Sequence, residues 1–400
     1  MCRAIRERNF HEEHGIYKDG ADAVLINAVQ KNRSEYGAMD KELEQLIGKG
    51  EILLHPSDTK LQYSGRIDLE DRDAPVFVYA GSFVKACLKT SSLKAVIRNR
   101  RSYFDNAVGV LCGTKALAFP LKNEGITVID LGVMLLDEVL EVTLYKRQDA
   151  CHYFEFLGFI LPEDAEVLMP EPLPLRKMEF FGDSVTCGEV SEAIAYAGLA
   201  DPEGHEGRYS NSYYSYSWMT ARKLNAMCHL TAQGGISLLD GEGYFAGPST
   251  LGMLSCYDKI EYYPGLGPTK DWDFARYTPQ VVVVAIGQND ANPVNYMDED
   301  YDSRQSAAWR VRYAGFLGKL RSLYPKATII TTTTILNHSP AWDRAIREAT
   351  SEMNDPGMHH FLYKHTGRGT HGHIRITEAD LMSDELSAYI RSLGEEIWRE

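Results

Sequence analysis

The texture of apolar and polar positions changes twice along the 400-residue chain. Between residues 22 and 48, Val24, Leu25, Ala28 and Val29, then Leu43, Leu46 and Ile47, recur at helical spacing. Gly48-Lys49-Gly50 stops the pattern. This predicts one or two helices in an N-terminal extension, 1–50. From 51 to 169, short β-type runs alternate with turn residues: 76–79, 83–88, 94–97, 107–111, 116–119, 126–129, 140–145 and 153–160. Runs spaced by about ten residues, with Gly and Asp or Asn between them, predict an all-β sandwich. Such a sandwich serves either as structural support or as a carbohydrate-binding surface.

Met169-Pro170-Glu171-Pro172-Leu173-Pro174 is a stiff, extended joint and marks the domain boundary. Beyond it, 176–400 reads as strand then helix. Strands are expected at 178–181, 226–231, 280–286 and 327–336, and helices at 211–225 and 308–323. The unbroken run Val281-Val282-Val283-Val284-Ala285-Ile286 is that of a strand buried on both faces. A last helix carries Leu381, Met382, Leu386, Tyr389, Ile390 and Leu393 on one face, with Thr377 placed to cap it. The alternation predicts an α/β domain: a parallel sheet with helices on both faces.

Composition narrows the partners. Apolar residues at 44% and charged residues at 24% are globular values. A net charge of −14 argues against nucleic acid and anionic membranes, both of which need basic patches. No run approaches the ~20 apolar residues of a membrane span, and no signal peptide is visible behind Met1. The seven cysteines are scattered, without a Cys-x-x-Cys pair. Reduced thiols in a cytoplasm are expected, rather than a disulfide framework or a zinc site.

Four segments fall at strand ends or before the last helix, where an open α/β sheet keeps its chemistry. Ser184 follows Gly182-Asp183. Gln233-Gly234-Gly235-Ile236-Ser237 follows a strand, and Gly287-Gln288-Asn289-Asp290 follows the valine run. Gly369-Thr370-His371-Gly372-His373 precedes the last helix. Acyl transfer needs each contribution. Ser184 can attack a carbonyl carbon once a histidine, His371 or His373, takes its proton. The oxyanion needs fixed donors, and the N–H groups of Ser184 and Gly235 and the carboxamide of Asn289 can supply them. Asp183, Asp290 and His371 stand beside these as supporting groups. Gly-x-Ser-x-Gly is absent, so the nucleophile elbow of α/β-hydrolases does not apply.

Gly182-Asp183-Ser184, a lone glycine, Gly287-Gln288-Asn289-Asp290 and a late histidine resemble the SGNH (GDSL) hydrolase superfamily. An all-β domain ahead of Glu179-Phe180-Phe181-Gly182-Asp183-Ser184-Val185-Thr186-Cys187-Gly188 is similar, more narrowly, to carbohydrate esterase family two. So are Tyr63-Ser64-Gly65-Arg66, Phe156-Leu157-Gly158-Phe159, and Gly372-His373 followed by Met382 and Asp384-Glu385-Leu386. The resemblance covers about 50 to 395. It implies a jelly-roll domain fused to a flavodoxin-like SGNH domain that removes O-acetyl groups from plant glycans without a metal or cofactor. It implies Ser184 as nucleophile, His373 as base, and Ser184, Gly235 and Asn289 as the oxyanion hole. The alternatives are an SGNH lipase or thioesterase acting on longer acyl chains, and a catalytically decayed glycan-binding relative. Absence of a visible signal favours imported oligosaccharides over intact polymer, and the oligomeric state is left open.

The sequence departs from the superfamily in two places. An aspartate two or three residues before the catalytic histidine is usual, but those positions are His371 and Thr370. The imidazole is then oriented either by a backbone carbonyl or by a distant carboxylate. Ile374 stands where relatives tend to carry proline.

Overall fold

The computed structural model describes residues 41–113, 115–132, 139–149 and 152–399. From Leu53 onward the described chain forms one compact unit. Of the helices expected in the N-terminal extension, only 41–46 falls among the described residues, and it is helical. Cys2 and Cys151 also lie outside them. Cys87, Cys187, Cys228 and Cys256 carry free thiols.

Every β-type run expected between 76 and 160 meets a strand, 76–79 only through Val76–Phe77, and the strands make two antiparallel sheets. One runs in the order Ile67–Asp68, Val76–Phe77, Tyr153–Pro162, Lys94–Arg100, Ile126–Asp130. The other runs Glu166–Leu168, Phe83–Lys89, Leu140–Lys146, Ala107–Cys112, Lys115–Pro120. Alternation explains the layering. Val84, Ala86 and Leu88 point inward from one sheet and meet Phe154, Phe156 and Ile97 of the other, all fully buried.

The following sheet is parallel and five-stranded. Its strands are β1 (Arg176–Gly182), β2 (Ala226–Ala232), β3 (Val281–Ala285), β4 (Thr328–Thr331) and β5 (Met358–His360), in the spatial order 2-1-3-4-5. That is the flavodoxin-like order, with its topological switch between β1 and β3. The valine run works as its pattern predicts. Val281 and Val283 pack on one face with Met178 and Phe180. Val282 and Val284 pack on the other with Phe181. The first face is covered by α1 (Tyr216–Lys223) and α4 (Ile376–Ser392), through Tyr216, Met219, Met382, Leu386 and Ile390. The second is covered by α2 (Arg304–Leu323) and α3 (Pro340–Glu352), through Trp309, Phe316, Trp342 and Ile346.

Several boundaries differ from expectation. The β-branched run 327–336 is strand only to Thr331, because its next residues bond to side chains instead of a ladder. Thr333 Oγ1 donates to Asp343, and Thr334 N donates to Gln288 Oε1 at 2.8 Å. Helix α1 is shorter than 211–225, since a separate 3-10 turn, Ser212–Tyr214, precedes it. Thr377 does not cap α4. The helix begins at Ile376, and Glu378 Oε2 reaches back to accept from Arg375 N at 3.1 Å. Helix α3 and strand β5 were not expected.

One buried ion pair ties the sandwich to the sheet. Arg66 extends from just after Tyr63-Ser64-Gly65 into the protein and meets Glu179 of β1 at 2.8 Å, with both side chains essentially unexposed. Thr231 Oγ1 and Tyr324 Oη also donate to Glu179. Gly65 N donates to His229 Nε2 of β2 at 3.1 Å, and Gly65 has φ 118°. Removing one partner of such a pair leaves an uncompensated buried charge. Arg66→Met is therefore expected to destabilise the fold by ~3–5 kcal/mol, read as a lowered denaturation midpoint. Arg66→Met combined with Glu179→Met should recover part of the loss; an unchanged midpoint in the single variant would show that the pair is dispensable.

Candidate active site

The carboxyl ends of β1, β2 and β3 bring three of the four predicted segments to the switch point. After β1, Asp183 caps a short helical turn, Ser184–Cys187, its Oδ1 accepting from Val185 N at 3.0 Å. Gly182 is required there: a Cβ would lie 2.0 Å from Thr186 Oγ1. Ser184 is the first residue of the turn and is 4% exposed. Its hydroxyl makes no hydrogen bond among the described residues.

Asp183 organises the neighbouring loop rather than the serine. Its Oδ2 accepts from Gln288 Nε2 at 2.5 Å and from Asn289 Nδ2 at 3.3 Å. Burial pushes the Asp183 carboxyl up to about 6, against the pull of these donors. Gln288 in turn accepts from Thr334, linking the ends of β1, β3 and β4. Asp290 binds groups of other elements. Its Oδ1 accepts from Trp309 Nε1 at 2.7 Å and Leu238 N at 2.9 Å, so it fastens the glycine loop to the loop after β3. Gly235 lies in that glycine loop with φ 73°, and a Cβ there would come within 2.6 Å of the Phe245 ring.

The two histidines of the fourth segment have different surroundings. His371 is exposed. His373 is partly buried, and its Nδ1 lies 2.7 Å from Asp201 Oδ2. Asp201 is the orienting carboxylate that sequence reasoning could not select. It comes from the loop between the Ser184 turn and α1, 172 positions before the histidine. Its other oxygen, Oδ1, accepts from His373 N and from Arg375 Nη1, both at 3.0 Å. Further bonds zip the two loops together: Gly198 N to Thr370 Oγ1 at 3.1 Å, and Ile376 N to Ser191 O at 3.0 Å. Ile374, at the expected proline position, is buried in the core under α4.

With Nδ1 engaged, Nε2 is the nitrogen left for chemistry. No hydrogen bond joins it to Ser184 Oγ among the described residues. Glu189 Oε2 lies 3.7 Å from His373 Nε2. Catalytic hydrogen bonds are often long before substrate arrives. Burial acts to lower the His373 pKa, but Glu189, then Asp201, outweigh it and push the imidazole up to about 9. Burial also works against the ionised form of Asp201, yet its bonds to His373 and Arg375 hold it well below the usual carboxylate range. Burial pushes Glu189 up to about 7. Among the described residues no group of three or more His, Cys, Asp or Glu side chains is arranged to hold a metal ion. No described helix is long and apolar enough to cross a membrane.

Residues 63–172 match the carbohydrate esterase 2 N-terminal family. The chain is similar to the cellulase/esterase CelE of Acetivibrio thermocellus, 27% identical over 341 residues, which is 82% of this chain and 39% of that protein. It thus spans well under half of CelE's length. It is also similar to an acetylxylan esterase / glucomannan deacetylase of Cellvibrio japonicus, 25% identical over 347 residues, covering 84% of this chain and 90% of the relative. A family two carbohydrate esterase from Clostridium thermocellum, solved with cellohexaose, superposes with a TM-score of 0.69 at 26% identity, covering 83% and 98% of the two chains. One from Cellvibrio japonicus shares the fold, with a TM-score of 0.74 at 23% identity over 86% and 98%. Sandwich and parallel sheet are matched together, in the same order and over nearly the whole of these solved chains; residues 63–172 match the family's N-terminal domain, and the chain as a whole is similar to family two carbohydrate esterases.

Proposed function

We propose that the chain is a serine esterase that removes acetyl groups from acetylated plant glycans or their oligosaccharides, of the xylan or mannan type. The observation that carries this reading is the Asp201–His373 contact at 2.7 Å, in a loop bonded to Ser191 just beyond the Ser184 turn. It supplies the orienting acid that a Ser–His pair needs. The glycan part of the reading is supported by the relative named as an acetylxylan esterase / glucomannan deacetylase and by the relative solved with cellohexaose.

In this reading His373 Nε2 takes the hydroxyl proton as Ser184 Oγ bonds to the acetyl carbon. Asp201 stabilises the resulting imidazolium. The N–H groups of Ser184 and Gly235 and the carboxamide of Asn289 receive the oxyanion, with Asp183 and Gln288 holding Asn289 in place. Collapse expels the sugar alcohol, which takes the proton from His373. Water, deprotonated by the same nitrogen, then attacks the acetyl-enzyme and releases acetate. Acetate release from acetylated xylan, glucomannan and cello-oligosaccharides, beside hydrolysis of acetyl and octanoyl aryl esters, tests the proposal. Preference for acetyl is expected. Preference for octanoyl would mean a lipase or thioesterase, and no turnover of any ester would mean a binding protein.

The pH profile follows from the charges around His373. A base must be neutral to accept a proton, and Glu189 and Asp201 both favour the protonated imidazole. Activity, as kcat/KM, should therefore rise with pH on an acid limb well above the ordinary histidine value of ~6.5 and toward 9. A limb at or below 6.5 on an aryl acetate would show that these carboxylates do not govern the base.

A further inference from the structure

The imidazole of His373 lies between two carboxylates, and only one has a place in the mechanism above. Asp201 occupies Nδ1. Glu189 approaches Nε2, the nitrogen that must serve the serine and then protonate the departing alcohol. Glu189 closes the short turn that begins with Ser184, its N donating to Ser184 O at 2.9 Å. The next residue, Val190, is buried with φ 54°, a conformation costly for a β-branched residue. The chain therefore accepts strain where it turns the Glu189 side chain inward. Glu189 also borders a narrow cleft shared with Asp149 and His152, and His152 Nδ1 is buried without a hydrogen-bond partner among the described residues.

The carboxylate lies directly against the proposed oxyanion loop. A Cβ on Gly234 would come within 2.6 Å of Glu189 Oε2, so glycine is what allows the approach. Among the described residues the Glu189 carboxylate accepts no hydrogen bond. A mostly buried carboxylate without donors is expensive, and one beside an oxyanion opposes catalysis unless something offsets its charge. In the resting protein the imidazolium does so. During reaction that proton leaves with the alcohol, at the atom next to Glu189. A donor carried by the alcohol itself, close to the ester oxygen, is the group that fits.

Resting on the esterase reading above, we propose that Glu189 is a specificity-determining residue that accepts a hydrogen bond from a hydroxyl vicinal to the ester oxygen. The substrate class is thus the monoacetate of a 1,2-diol, as on a pyranose ring with a free neighbouring hydroxyl. That hydroxyl replaces the imidazole as partner of the carboxylate, which frees Nε2 for Ser184. Simple alkyl and aryl acetates lack the donor and leave the carboxylate clamped on the base.

The test uses two small esters, 2-hydroxyethyl acetate and 2-methoxyethyl acetate, the second carrying a methyl group in place of the donor hydrogen. The wild-type protein should favour the first in kcat/KM by about tenfold or more, the range for a hydrogen bond to a charged group. Glu189→Gln should bring the ratio to within about threefold, because a neutral acceptor bonds more weakly. Glu189→Asp, which keeps the charge but withdraws it, should give an intermediate ratio. A wild-type ratio near one overturns the proposal without needing any variant, and so does a Glu189→Gln protein that keeps the full preference. Acetylated xylan run in parallel separates the two readings. If the wild-type protein releases acetate neither from it nor from 2-hydroxyethyl acetate, the esterase reading itself fails; if it does and the ratio is near one, only the role of Glu189 fails.

Discussion

Ser184→Ala should lower kcat for acetate release by about 10⁵- to 10⁶-fold, the scale on which a serine nucleophile and its base act as one unit. His373→Ala should cost about as much, and the double variant little more. Stability should hardly change. The Ser184 hydroxyl makes no hydrogen bond among the described residues, and the contacts that shape its turn belong to Asp183, Val185 and Gly182. The residue can lose its oxygen while Asp183 continues to hold Gln288 and Asn289. Turnover of an aryl acetate together with a thermal midpoint measures both. A variant retaining a few per cent of activity at normal stability would remove Ser184 as nucleophile. Loss of stability alongside activity would show that the hydroxyl supports the fold.

What the sequence revealed of this region depended on period and position. The strand Val281–Ala285 is legible because burial on two faces leaves no polar position in it. The ends of β1, β2 and β3 are legible because glycine and short polar residues interrupt such runs. Ser184, Gly235 and Asn289 stand at those ends, and the family resemblance is what assigns their roles. The elements that escaped are of other kinds. Strand β5 is three residues long, Met358–His360, too short for a period to register. Helix α3 does carry signals: a Ser339 cap, Pro340 in its first turn, and buried Trp342, Ala345, Ile346 and Ala349 at helical spacing. They follow the threonine run so closely that the run's strand pattern obscures them.

Asp201 is hidden for a different reason. The expectation of an acid just before the histidine looks along the chain, whereas the acid arrives across space. Asp201-Pro202 reads as an ordinary turn. Nothing local distinguishes it from the many other Asp and Glu residues. Its partner Arg375 gave no signal either, although an arginine buried completely beside a catalytic-loop histidine requires a carboxylate nearby. Arg66 is the same case at the junction with the sandwich: Tyr63-Ser64-Gly65-Arg66 is part of the family resemblance and its partner Glu179 lies inside the first predicted strand, but only the fold joins them.

The second large effect is expected for Asp201→Asn, about 10⁴-fold in kcat. The argument is one of donors and acceptors. Asp201 Oδ1 accepts from His373 N and from Arg375 Nη1, and neither group can do anything but donate. Asparagine has a single side-chain oxygen, and these two donors fix it at the Oδ1 position. Its NH₂ must then take the place of Oδ2, 2.7 Å from His373 Nδ1. A donor there forces Nδ1 to accept, so the ring proton moves to Nε2. The nitrogen that should receive the Ser184 proton already carries one. Shape and packing are preserved, so the thermal midpoint should fall far less than the rate. Loss of the charge also lowers the imidazole pKa, which should move the acid limb of kcat/KM toward lower pH even as its plateau drops. An Asp201→Asn protein within about tenfold of wild type would assign the orientation of His373 to something other than this carboxylate.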